Sequence, residues 1–441
     1  DISERFDTPV IVKMCTRISH SQSVVDTSER EERETIPYVK DPAKYVMVPA
    51  NAKIRHPFVE ERTKKLAEWG NTSGINRVEK AADPECKRGF ITGSTSYQYI
   101  KEVFGDSVSV LKLGMPYPFP DELIKEFAKD LDDITVVEEM DPIVEDHCKA
   151  LGINVHGKDL LPMVGEYSQN LIAKVLAGQE VDEESKCDIE TPVRPPIMCP
   201  GCPHRGIFYT LKRNKCIVIG DIGCYTLAAA EPLASMDMTL CMGASVSATH
   251  GFLKALGEDA PKNVVGVIGD STFIHSGMTG LAEIAYNQSN ATIVILDNST
   301  TGMTGQQENP TTGYNIKGDP AGKIDLEALV KAMGIRRVRV VDPLDLKACN
   351  AVVKEELAAD EPSVIITRRP CVLLKSVKKL PALRVNPDKC TGCGACMKIG
   401  CPALAMKDGK VVVDETLCVG SGCNLCTQMC GFGAFEYPGE E

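Results

Sequence analysis

Eight of the chain's 19 cysteines fall between Cys390 and Cys430, in two runs: Cys390-x2-Cys393-x2-Cys396-x4-Cys401, followed by Pro402, and Cys418-x4-Cys423-x2-Cys426-x3-Cys430. So short a segment cannot bury a core of ordinary size, so its cysteines must be cross-linked or hold metal. Disulfides suit small secreted domains, whereas this segment ends a 441-residue chain whose other regions read as cytosolic α/β; metal ligation is the better reading. With 43% hydrophobic residues the chain can fill several cores, and three or four domains are expected. A net charge of −12 and the lack of a basic stripe exclude nucleic acid as the main partner. No apolar run approaches the roughly 20 residues that span a bilayer, and Asp1-Ile2-Ser3-Glu4-Arg5 is not a secretion signal. A cytoplasmic protein with no membrane partner is therefore expected. The first residue is not Met, and Thr8-Pro9-Val10-Ile11-Val12-Lys13 reads as the last strand of a domain that begins upstream.

The two runs, separated by the strand-like Lys410-Val411-Val412-Val413-Asp414, match a two-cluster bacterial ferredoxin, in which the last cysteine of each run serves the other cluster. This assigns Cys390, Cys393, Cys396 and Cys430 to one 4Fe-4S cluster, and Cys418, Cys423, Cys426 and Cys401 to a second. A pair of zinc sites is the competing reading. Two spacings, x4 before Cys401 and x4 after Cys418, are longer than usual.

Elsewhere the pattern alternates strand and helix. The charged run from Ser28 to Glu34 reads as a solvated linker, and Lys53 to Trp69 as a helix. Phe90–Gly93, Val108–Leu113 and Ile134–Glu139 are short strands of a small parallel α/β domain. Residues 151–195 read as a helix and a polar connector ending in Pro192, Pro195 and Pro196. Val264–Gly269, Thr292–Leu296 and Ser363–Thr367 are near-continuous apolar strands, as in a doubly wound sheet covered on both faces. The expected fold class is α/β, with doubly wound domains followed by a small α+β two-cluster module.

Gly269-Asp270-Ser271 ends one buried strand, and Asn298 follows the next, 29 positions after Gly269. This resembles the thiamine diphosphate motif G-D-G followed at this distance by N-N, with Ser271 and Ser299 departing from it. The resemblance implies Mg2+ held by Asp270, Asn298 and the carbonyl of Thr300, in keeping with that ion's demand for oxygen donors. It assigns Met242-Gly243-Ala244 to the segment that bends the cofactor, with Met242 as the apolar wedge; a core methionine is the alternative. Gly277 is expected to start a helix facing the diphosphate. An Asp ending a strand is also a common helix N-cap.

Cys199-Pro200-Gly201-Cys202-Pro203-His204-Arg205, Gly220-Asp221-Ile222-Gly223-Cys224, Met242-Gly243-Ala244-Ser245, Gly269-Asp270-Ser271 and the cysteine tail occur in the order found in the thiamine-dependent 2-oxoacid:ferredoxin oxidoreductases, and the chain resembles their aryl-pyruvate branch throughout. The resemblance divides the chain into residues 1–35, the end of a pyrimidine-binding domain; 36–83, a linker with a helix; 84–165, a transketolase C-terminal-like domain; 166–195, a linker; 196–380, the diphosphate-binding domain; and 381–441, the ferredoxin domain. It implies oxidative decarboxylation of an aryl 2-oxoacid such as indolepyruvate, with coenzyme A, to an aryl-acetyl-CoA and CO2, the electrons passing to ferredoxin. It further implies a smaller partner subunit with the third domain type, in a heterotetramer. The aminopyrimidine-binding glutamate is placed upstream of residue 1. Gly223, Gly243, Ala244, Gly269, Ser271 and Gly277 are expected around the cofactor, His204 at its phosphate and His275 toward the substrate. A third 4Fe-4S cluster is expected on Cys199, Cys202, Cys224 and Cys371, with buried free thiols as the alternative. Two rival functions stay open: a non-redox thiamine decarboxylase, and a non-catalytic electron-transfer subunit on a dead thiamine fold.

Overall fold

The computed structural model describes residues 2–32, 36–181, 189, 192–193 and 195–438, and the chain divides into two compact units, Asp1–Glu190 and Thr191–Glu441. Part of the charged run ending at Glu34 and much of the proline-bounded connector lie outside the described residues.

The first unit is built on strands β1 (Arg77–Glu79), β2 (Arg88–Gly93), β3 (Ser109–Leu113) and β4 (Asp133–Val137), in the order β1-β3-β2-β4. β2 runs parallel to β3 and β4, whereas β1 pairs antiparallel with β3, so the sheet is mixed and not purely parallel. Successive side chains turn to opposite faces: Phe90 and Val110 join one core with Ile100 and Ile172, while Ile91 and Leu111 join another with Ile124 and Phe127. Helices Ser94–Phe104 and Gln169–Leu176 supply the first face, Asp121–Ala128 and Ile143–Ala150 the second. Helix Gln169–Leu176, capped by the Ser168 hydroxyl accepting from Leu171 N, lies in the segment read as linker. Its buried Ile172 and Leu176 carry this core past residue 165. The long helix Pro49–Thr72 contains the stretch read as helical. Thr8–Lys13 forms no strand: the backbone there is irregular and Val10, Ile11 and Val12 are exposed, because no described strand lies beside them to complete a ladder.

In the second unit, β5 (Ile217–Gly220), β6 (Met238–Thr239), β7 (Val264–Gly269), β8 (Thr292–Asp297), β9 (Arg337–Val341) and β10 (Ser363–Arg368) form a parallel sheet ordered β6-β5-β7-β8-β10-β9. Val265, Val267, Val294 and Ile365 face the core under helix His204–Arg213, while Ile268, Ile293, Ile295 and Ile366 face the core under helix Met278–Tyr286. β9 escapes a sequence reading because Arg337 and Arg339 interrupt its apolar pattern; both pair with the fully buried Glu356 carboxylate, at 2.8 and 3.3 Å.

The tail carries β11 (Arg384–Val385) paired with β14 (Phe435–Glu436), and a hairpin of β12 (Leu404–Lys407) with β13 (Lys410–Val413). It does not hang free. Its core of Ile399, Val411, Leu425 and Phe435 continues into Leu344 and Tyr209 of the α/β layer, so residues 196–380 and 381–441 share one compact unit. No helix among the described residues is long and apolar enough to cross a membrane.

Candidate functional site

Parallel pairing of β7 with β8, with Gly269 opposite Leu296, brings Asp270 and Asp297-Asn298 out side by side at the carboxyl edge of the sheet. Ligands bind α/β sheets at this edge. Asp270 is buried; Oδ1 accepts from Ser271 N at 2.8 Å, and Oδ2 from Thr311 Oγ1 at 3.3 Å and Asn309 Nδ2 at 3.5 Å. Burial, with Asp297 nearby as a second negative charge, pushes its pKa up to about 7 against those hydrogen bonds. Asp297 is answered by Arg368 at 2.8 Å, but no described cation pairs with Asp270. A buried carboxylate without a counter-charge, beside the buried Asn298 and Thr300, is a donor set that fits a hard divalent cation. Ser299 holds φ at +58°, a left-handed conformation in which asparagine is enriched, so the motif's second asparagine has a backbone reason that Ser299 bears at some strain.

Asp221, fully buried after β5, ties two motifs together: Oδ2 accepts from Gly243 N at 2.7 Å and Ser245 Oγ at 3.1 Å, and Oδ1 from Ile222 N at 2.7 Å. Gly243 has φ +93°, and a Cβ there would lie 2.3 Å from the Cβ of Ser276, so only glycine permits this approach. Buried Tyr225 accepts from Gly269 N at 3.1 Å and donates to Ile222 O at 3.2 Å. The segments carrying Gly223, Met242, Gly243, Ala244, Gly269 and Ser271 thus meet at one edge. Met242 is 47% exposed in this segment.

Gly277 does not open a helix. Asp270–Thr272, the π-turn Phe273–Gly277 and Met278–Tyr286 form one helical run starting at Asp270, and a Cβ on Gly277 would meet Ile268 at 2.6 Å and Phe273 at 3.0 Å. Gly277 is a packing position, and the first amides of the helix belong to Asp270, Ser271 and Thr272, that of Ser271 already donating to Asp270 Oδ1. His275 is exposed on that π-turn, with its ring against Ser276 Oγ at 2.7 Å. His204 is buried edge-on to Tyr225, ring centroids 5.8 Å apart, with no hydrogen-bond partner among the described residues. Burial lowers its pKa to about 4, so the ring is neutral at pH 7.

The thiols fall into groups. Cys202 feels the charges of Cys199 and Cys371, and Cys224 those of Cys371 and Cys199; burial raises Cys202 to about 12 and shifts Cys224 and Cys371 upward. Cys371 N donates to Asn298 O at 2.8 Å, which joins this group to the Asp270 edge. Cys216 has only Asp237 acting on it and Cys349 only Asp345 and Asp342, as ordinary buried thiols would. In the tail, Cys396 is influenced by Cys430, Cys393 and Cys390, and Cys423 by Cys401 and Cys418. Cys390, Cys393, Cys396 and Cys430 line one small cavity with Phe432 and Phe435. Among the described residues no three His, Cys, Asp or Glu side chains are gathered tightly enough for a single metal ion.

Asn309, Thr311, Asp221 and Tyr225 were not singled out for these roles by the sequence reading. The polar stretch Asn309-Pro310-Thr311-Thr312, in the loop after β8, was the available signal for the first two.

Residues 221–367 match the family of the thiamine pyrophosphate enzyme C-terminal TPP-binding domain, and 383–405 match a 4Fe-4S binding domain. The chain is 38% identical to the indolepyruvate oxidoreductase subunit IorA of Pyrococcus horikoshii, over 99% of this chain and 74% of that protein. It is 39% identical to IorA of Thermococcus kodakarensis, with the same coverage of each. Among solved structures it is similar to 2-oxoglutarate:ferredoxin oxidoreductase from Magnetococcus marinus, at 20% identity and a TM-score of 0.36, over 45% of this chain and 74% of that one.

Proposed function

The chain belongs to the family of indolepyruvate oxidoreductase IorA subunits, and on that premise we propose that it oxidatively decarboxylates aryl 2-oxoacids of the indolepyruvate type with coenzyme A, delivering the electrons to ferredoxin. The observation that carries this reading is the Cys371 N to Asn298 O hydrogen bond of 2.8 Å. It joins the backbone of Cys371 to the edge where Asp270 and Asn298 fit a metal-bound diphosphate, which supports an electron acceptor beside the cofactor. An enzyme that only decarboxylates needs no electron acceptor there.

Asp270, Asn298 and the Thr300 carbonyl hold Mg2+, which the diphosphate shares. The amides of Asp270, Ser271 and Thr272 and the glycines Gly223, Gly243 and Gly269 line the approach, Met242 and Ala244 support the bend, and neutral His204 offers a hydrogen bond. Bound thiamine diphosphate supplies the carbanion chemistry, and this chain orients it and excludes water. His275, on its exposed turn, faces the substrate side. Cys199, Cys202, Cys224 and Cys371 would hold an internal 4Fe-4S cluster, Cys401, Cys418, Cys423 and Cys426 a second, and Cys390, Cys393, Cys396 and Cys430 a third, and such clusters would supply one-electron acceptors. A smaller subunit completes a heterotetramer working in the cytoplasm.

Viologen reduction by the purified complex, with coenzyme A and a panel of 2-oxoacids, tests the reading. Fastest reduction with indolepyruvate or another aryl 2-oxoacid is expected. Aldehyde production without dye reduction would identify a non-redox decarboxylase. No turnover and no extractable thiamine diphosphate would identify an electron-transfer subunit.

A further inference from the structure

Arg205 ends the motif that begins at Cys199, and its side chain is an anomaly. It is 3% exposed, and its guanidinium donates from Nε to Cys199 O at 3.1 Å, from Nη2 to Met198 O, and from Nη1 to Ile399 O at 3.2 Å and to Gly400 O. Every acceptor is a neutral carbonyl, and no described carboxylate pairs with it. A buried cation left to carbonyls alone is strongly disfavoured unless negative charge lies nearby. The groups near enough to supply that charge are Cys401, Cys202, Cys423 and Cys199, which are neutral as thiols and negative as cluster-ligating thiolates. Two of these belong to the internal thiol group and two to the adjacent tail group. The carbonyls it holds are those of Met198 and Cys199 and of the two residues just before Cys401.

We propose that Arg205 is the positioning residue of the internal-to-tail electron step, a fixed cation that locks the two cysteine loops together and stabilises the reduced state of both flanking clusters. The inference rests on the cysteine assignment above. A thiolate-ligated cluster gains one negative charge on reduction, and a nearby buried cation favours that state. In the step itself one electron leaves the internal cluster, which is oxidised, and enters the cluster of Cys401, Cys418, Cys423 and Cys426, which is reduced; no bond or proton moves. Because Arg205 touches both loops, the transferred charge stays beside the same cation, and the crossing is not biased by it.

Arg205→Gln and Arg205→Lys in the full complex, purified anaerobically, test this by iron analysis and EPR-monitored redox titration. In the Gln variant the reduction equilibria of both flanking clusters should shift at least tenfold toward the oxidised state, about 59 mV lower for a one-electron couple. The cluster of Cys390, Cys393, Cys396 and Cys430 should move less, and the Lys variant should stay within threefold of wild type. Loss of clusters in the Gln variant but not in the Lys variant also supports the charge. Unchanged potentials in an intact Gln variant would overturn the proposal, as would a Lys variant shifted as far as Gln, or cluster loss in both, which would leave Arg205 a structural clamp. Wild-type protein without an internal-cluster signal would overturn the cysteine assignment and this inference with it.

Discussion

If Asp270 ligates Mg2+ as proposed, a proton and the metal ion compete for the same oxygens. With its pKa raised to about 7 mainly by burial, the cation-free folded state binds a proton that the unfolded chain, with an aspartate near 3.8, has released. The stability tied to this proton is therefore present below pH 3.8 and lost as the pH rises toward about 7. Mg2+ reverses the sign, because it binds the ionised form. The apparent affinity for Mg2+ with thiamine diphosphate should fall about tenfold per pH unit below 7, read by calorimetric titration from pH 5.5 to 8. A flat profile would mean that Asp270 is not a ligand. Asp270→Ala should lose thiamine diphosphate on gel filtration while the tail clusters keep their EPR signals; full activity in that variant would remove the metal assignment. Gly243→Ala adds a Cβ at φ +93° and 2.3 Å from that of Ser276. It should cost about 1–3 kcal/mol of stability and weaken cofactor binding at least tenfold, because the strain falls on the loop tied to Asp221. Cofactor affinity at the wild-type level would show that this loop does not touch it.

The tail docks in part through its short helix Leu425–Met429. Gln428 Nε2 donates to Leu344 O at 2.7 Å, and its Oε1 accepts from Leu346 N at 3.0 Å, so one amide closes the gap between the cysteine module and the turn after β9. Gln428→Ala should cost about 1–2 kcal/mol. Hydrogen exchange should show residues 420–430 opening more readily while the central strands β7 and β8 stay protected; global destabilisation without that local signature would contradict the docking role. Elements of this kind also mark the limit of what could be read in advance. β7, β8 and β10 were legible as buried on both faces, and the tail as two interleaved runs. β9 was not, since its arginines face a buried glutamate, which no local pattern records. The edge strand β1 is three residues long with two charges, and the Thr8–Lys13 run has strand composition without a strand partner. Asp270 and Asn298 were visible from spacing, whereas the helix start at Asp270 and the packed position of Gly277 depend on a π-turn with no composition signal.

Within the second unit contacts link the groups in turn. Asn298 is joined to Cys371, the internal thiols to the loop before Cys401 through Arg205, and Cys426 is influenced by Cys396 as well as by its own set. The last set includes the exposed Cys393, beside exposed Phe432. If the three cysteine sets hold clusters as proposed, electrons would leave the thiamine edge through the internal one, cross to the second and reach the surface at the third. The order makes the single-cluster variants unequal. Cys202→Ser should leave thiamine diphosphate bound and the tail clusters assembled and reducible by dithionite, yet nearly abolish their reduction by substrate. Cys393→Ser should leave the internal and second clusters reducible by substrate in a single turnover while slowing ferredoxin reduction. Freeze-quench EPR after mixing with an aryl 2-oxoacid and coenzyme A separates the two cases. If the tail clusters of Cys202→Ser are reduced by substrate at the wild-type rate, the internal thiols do not lie on the electron path, and the hydrogen bond between Cys371 and Asn298 is only part of the fold.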